Sequence, residues 1–164
     1  MDLGAVLLES WDRQTRIVSS VSELVTEANR HLRPSDDGMD LAHQLAHIHN
    51  VRHYFLGNVA PERAATIASS FVDGWTTPID DLVQIKSLLG ESAVGVREVV
   101  HAALESGTQQ FGWYDHPVLF LQHMIWHEGW HTGLIFLALR RGGLEADEVW
   151  EEARVWGEWR TETW

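Results

Sequence analysis

The chain has 164 residues, 45% of them apolar, which is enough to build the core of one domain without covalent staples. It contains no cysteine, so disulfides, thiolate metal sites and cysteine nucleophiles are excluded, and any metal site must use imidazole and carboxylate. Asp and Glu total 24 against 12 Lys and Arg, a net charge of -12. That balance leaves nothing to neutralise phosphates, which argues against nucleic-acid and acidic-membrane partners.

The N-terminus "MDLGAVLLESWDRQTRIV" lacks the basic and apolar regions of a signal peptide. No apolar run approaches the roughly 20 residues of a membrane span, and a cytoplasmic location is expected. A first helix is predicted over 3–31, with Leu7, Trp11, Val18, Val21 and Val25 on one face. "LRPSDDGMD" breaks it, and Asp40 or Ser35 is a plausible cap for a second helix over 40–56, striped by Leu41, Leu45, Ile48 and Phe55. Residues 57–77 read as a long connection with a short helix near 62–69, and connections of this length often cover a site. A third helix is predicted over 78–105, with Thr77 as N-cap and Pro78 as its first residue. A fourth starts near His116 or Pro117 and runs to Arg141, where "RRGG" supplies cations and then a stop. The acidic tail carries a short helix over 147–155. Four long helices and no convincing strand predict an all-α four-helix bundle in one domain, 1–164, with residues 144–164 as a C-terminal extension packed on it.

Ten histidines and nine tryptophans cluster rather than scatter. His123, His127 and His131 recur every four residues on one face of the fourth helix, a spacing at which two imidazoles can grip one ion. Each buried imidazole needs hydrogen-bond partners, so a core would not choose three for packing alone. Spacing leaves open whether they hold a metal or serve the structure. The second helix adds His43, His47, His49 and His53 as two pairs on different faces, and one of these could complete a three-histidine site. Three neutral imidazoles leave a position free for water or substrate, and they suit Zn, Ni or Fe better than Mg or Ca.

His127, Glu128 and His131 also spell the H-E-x-x-H pattern of zinc proteases. Glu151 and Glu152 lie at the distance of a third ligand in one such class. However, "LRRGGLEADE" ends the helix, no strand is available to align a peptide, and Glu128 is turned about 100° from the ligand face. The protease reading is the weaker one. His123 and Glu128 remain candidates for proton handling, or for structure alone.

"LAHQLAHIHNVRHYFL" and "HMIWHEGWHTGLIFLALRRGG", with the opening "LLESWDRQTRIV", resemble the DinB/YfiT-like superfamily. The resemblance covers nearly the whole chain and implies a bundle connected up-down-down-up, often dimeric. It also implies a divalent metal held by three histidines: one in an "LA-His" context, where His47 is favoured over His43, and the pair His127 and His131 ahead of Gly133. The family often has Arg where this chain has Thr132, so a role for that arginine does not transfer. Members with known activity include metal-dependent hydrolases and transferases of low-molecular-weight thiols such as bacillithiol or mycothiol. The resemblance therefore implies a small-molecule enzyme, a thiol S-transferase or a hydrolase, whose thiol would come from a cofactor. The alternative is a non-catalytic metal- or small-molecule-binding stress-response protein.

Trp126 and Trp130 flank the histidine face and are expected to pack against neighbouring helices, with one available as a pocket wall. Trp150, Trp156, Trp159 and Trp164 are expected to fold back with the tail onto the bundle. The competing reading for the tail cluster is a subunit interface or a lid.

Overall fold

The computed structural model describes residues 2–161 and is all-helical, with six α-helices and no strand among those residues. Helix α1 spans Leu3–Glu23 and is capped by Asp2, whose carboxylate accepts from the Gly4 amide. It ends eight residues before the predicted boundary. Asn29 is the reason: its side-chain oxygen accepts from the Thr26 amide at 2.7 Å and its nitrogen donates to the Leu24 carbonyl at 2.8 Å. Such side-chain bonds offer the backbone an alternative to the helical ladder. Val25 still reaches the core, fully buried, from the turn that follows.

Helix α2 spans Leu41–Val59, with Asp40 as the predicted cap accepting from the His43 amide. The short α3 covers only Pro61–Ala64. Helix α4 spans Leu82–Glu105 and starts four residues later than predicted, capped by Asp81 rather than Thr77. Thr77 is engaged elsewhere. Its amide and hydroxyl both donate to Asp73 at 2.7 Å, Pro78 bridges Phe71, and the Ile79 amide donates to the Ser70 carbonyl. The segment before α4 is thus folded back on itself. Helix α5 spans Pro117–Arg141, the bounds the sequence indicates, and is capped by His116. The tail holds α6, Glu148–Glu151, which runs into a π-helical turn over Glu152–Trp156.

Helices α4 and α5 each pack against both α1 and α2, so α2 and α5 lie side by side. One core cluster joins Ile17, Val18, Leu45, Ile48, Ile85 and Ile135, and a second joins Trp11, Leu56, Val96, Phe120 and Met124. Gly95 on α4 lets α2 come close, because a Cβ there would stand 3.2 Å from Leu56 Cδ1. The tail lies along α1 and α5: Val155 is buried, Trp150 packs on Phe136, and Arg13 and Arg16 both bond Glu158. Trp156 and Trp159 stay half-exposed, and Trp164 lies outside the described residues. Trp126 and Trp130 depart from expectation. They project outward at 68% and 60% exposure and stack on each other, because they sit on the side of α5 that no other helix covers. No helix among the described residues is long and apolar enough to cross a membrane.

Candidate metal centre

Three histidines converge between α2 and α5. The ligand nitrogens of His47, His127 and His131 all lie within 4.8 Å of one another, and this group could hold a divalent metal. The four-residue step on α5 brings His127 and His131 together with ring centres 4.5 Å apart. The side-by-side packing of α2 and α5 supplies His47, with ring centres 4.6 Å from His131 and 5.3 Å from His127. The Nε2 atoms of His47 and His127 stand 3.3 Å apart. Two nitrogens each 2.0–2.1 Å from one tetrahedral ion are separated by about 3.3–3.4 Å, the separation seen between His47 and His127.

Gln44, one turn before His47, completes the arrangement. Its side-chain oxygen accepts from Nδ1 of His131 at 2.5 Å, which fixes the tautomer and leaves Nε2 of that ring as the ligand atom. Gln44 and His131 are both buried, whereas His47 and His127 are only partly so. One side of the cluster therefore opens outward. Burial is the main cause of a shared electrostatic shift. It pulls His127 from 6.5 to about 3, with help from His131 and His47, and His131 to about 4; His47 is lowered too. All three rings are neutral at pH 7, the state that ligates a metal.

The other histidines have other occupations. His123 lies next along the same face of α5, and its Nδ1 pairs with the Tyr114 hydroxyl at 2.6 Å. Burial pushes Tyr114 up to about 12, so that hydroxyl keeps its proton. His49 is fully buried and joins the Leu88 and Ala68 carbonyls, each at 2.9 Å. Burial lowers it to about 4, against the two carbonyls, which favour the charged ring. His53 bonds the Ala64 carbonyl and His43 packs edge-on to Phe71.

Glu128 does not face the histidines. It is fully buried and accepts from Nε of Arg52 at 2.6 Å, both side chains being 1% exposed. Nη1 of Arg52 donates to the Leu89 carbonyl at 2.7 Å, and its guanidinium lies 5.0 Å over the Trp11 ring. Gln44, Arg52 and Tyr114 were not picked out from the sequence. A signal existed for Arg52: it lies four residues after Ile48 on the apolar stripe of α2, and a cation there demands a buried acid. Trp75 was also missed. It comes from the connection before α4, and its ring lies 5.8 Å from His47.

Fold and site together define a class: all-helical proteins in which two neighbouring helices present a three-histidine cluster suited to a divalent metal. The chain belongs to the DinB family, whose family model matches residues 1–160. Neither a curated protein nor a solved structure matches it.

Two outcomes are expected. Removing either partner of the buried ion pair, by Arg52→Ala or Glu128→Ala, lowers stability by about 3–5 kcal/mol because a charge is stranded. Arg52→Met with Glu128→Leu restores most of it, as urea denaturation will show, and that double variant keeps the metal content of the parent. The second concerns pH. In metal-free protein the folded-state values of His127 and His131 lie below the unfolded value of 6.5. Between that value and about 4 the unfolded chain binds protons that the folded chain refuses, so stability falls as pH falls. Melting curves from pH 7 to about pH 4 will show this decline, and His127→Ala will flatten it.

Proposed function

We propose that this chain is a metal-dependent small-molecule enzyme, a thiol S-transferase or a hydrolase, with His47, His127 and His131 as metal ligands. The observation that carries the reading is the convergence, among the described residues, of three neutral imidazoles on one point that is open on one side. Three protein ligands rather than four leave room for a reactant, which is the pattern of catalytic sites. Zn or Ni suits the all-nitrogen donor set, with Fe a further candidate. A divalent ion held by His47, His127 and His131 would supply Lewis acidity, the chemistry that lets a thiol or water act as a nucleophile near neutral pH. With no cysteine in the chain, the thiol is a low-molecular-weight cofactor.

The chain's own groups have separate tasks. Gln44 holds the His131 ring in its ligating tautomer. His123, held by Tyr114 and one turn from His127, is placed to take or return a proton at the nitrogen that Tyr114 does not engage. Trp75 covers His47 and limits water on that side. Glu128 serves the structure through Arg52, which removes the general base that a protease reading requires.

The bundle is proposed to run up-down-down-up as one domain with the tail packed on it, in a cytoplasmic homodimer that acts on a small molecule and binds neither nucleic acid nor membrane. The helix pairing supports the topology, since α4 and α5 each contact both α1 and α2. The exposed Trp126, Trp130, Trp156 and Trp159 support self-association.

Elemental analysis tests the centre. Wild type is expected to carry about one metal per chain, and His47→Ala, His127→Ala and His131→Ala to carry little. Gln44→Ala should weaken affinity by about 10–100-fold. Equal metal in all of them excludes the site, and turnover of thiol with an electrophile that persists after metal removal excludes the mechanism. Light scattering tests the assembly: the full chain is expected at twice the monomer mass. A monomer mass excludes the homodimer, and a dimer that survives truncation after Gly143 removes the tail from the interface.

A further inference from the structure

Beside Trp75, whose ring also lies 5.8 Å from His47, is a cavity of about 640 Å³ between α2, α3 and the connections that precede α4 and α5. Its walls are three aromatic rings, Tyr54, Trp75 and Trp113, with Asn50, His53 and Asn58 between them. Tyr54 stands at the centre. Its ring lies 5.5 Å from Trp75 at 72° and 5.9 Å from Trp113 at 51°. All three rings remain accessible, at 48%, 44% and 66% exposure.

The rings are held by specific backbone devices. Asn58 Oδ1 accepts from the Trp113 amide at 2.8 Å, and this approach requires Gly112. That glycine has φ +60, and a Cβ on it would collide with Asn58 Oδ1. Trp75 follows Gly74, which has φ +89 and whose carbonyl accepts from Asn50 Nδ2. Two tryptophans from two separate connections are thus brought to one tyrosine, in a turn geometry that L side chains rarely adopt. Packing needs do not explain this, since the rings are left half in solvent.

We propose that this cavity binds the alkylated ammonium group of a small molecule, and that the rest of the molecule extends past Trp75 towards the histidines. Three chemical facts select that group. The faces of Tyr and Trp are electron-rich and attract cations, most strongly when water is excluded. No Lys, Arg, Asp or Glu lines the cavity, so an anion finds no counter-charge, while the net charge of -12 draws cations to the surface. The rings meet at 51° and 72° and form a corner, which suits a rounded methylated head. The orientation towards the histidines rests on the metal-centre reading, because Trp75 is the wall the two sites share; the cage itself does not.

Calorimetric titration of the full chain tests it, with choline as the probe and its uncharged tert-butyl isostere as the control. Choline is expected to bind at least about tenfold more tightly than the isostere. Trp113→Ala should abolish that preference and Tyr54→Phe, which keeps the ring face, should retain it. Trp113 is largely exposed, so the alanine variant should show the wild-type circular dichroism spectrum. Metal content measured on the same samples separates the two sites: choline preference in protein that holds no metal leaves the cage standing. Equal binding of choline and isostere, no choline binding, or a preference that survives Trp113→Ala overturns the proposal.

Discussion

One guanidinium joins the four long helices of this protein. Arg52 sits on α2, bonds Glu128 on α5, donates to the Leu89 carbonyl of α4 and lies over Trp11 of α1. One side chain therefore touches all four long helices. Among the described residues, Nη2 of Arg52 and Oε2 of Glu128 have no further hydrogen-bond partner, so each buried charge depends on the other. A pair like this adds little net stability over apolar residues of the same size, but it tolerates few alternatives. A slide of α5 along α2 would strand both charges. Glu128 is the neighbour of His127, and Arg52 lies five residues beyond His47, so the register that satisfies the pair is also the one that brings the histidines together.

The same economy governs the imidazoles. Burial alone would make them costly, and His49, His53, His116 and His123 avoid the cost by bonding a carbonyl, a hydroxyl or a backbone amide. His47 and His127 are different: their nearest polar partners are each other. Neutral nitrogens crowded at one point, with Gln44 fixing one ring from behind, form a set whose lone pairs a cation would satisfy. The low pKa values follow from this placement. Desolvation is the largest cause for each, and the neighbouring rings add to it, so protons compete poorly for the nitrogens.

Much of this was legible in the sequence, because it rests on local periodicity. The i, i+4 step of His127 and His131, the cap at Asp40, the start of α5 at Pro117 and the stop after Arg141 are short-range features, and they appear where expected. His47 was not selected by spacing, because the choice among four histidines on α2 depends on how α5 packs against it. It was selected by resemblance. Arg52 and Glu128 were obscured for a related reason. Glu128 looks like a surface charge within its own helix, and although Arg52 falls on the apolar stripe of α2, its partner is visible only once the two helices are paired. Trp126 and Trp130 mislead in the opposite direction: large and apolar, they suggest burial, yet no helix covers that side of α5.

One error of local reading falls beside the site. Thr77 and Pro78 form a good helix start by propensity, yet α4 begins at Leu82. Had the helix begun at Pro78, the preceding residues could not have turned back to bridge Phe71 with Pro78 and bond Thr77 to Asp73. Trp75 would then have no route to both His47 and Tyr54. Four residues of helix are given up, and in exchange an aromatic wall stands between the histidine cluster and the cavity beside it. Departures from local preference tend to occur where function constrains the chain. Here the departure builds a wall common to both candidate sites, so a molecule anchored in the cavity would present its remainder to the histidines.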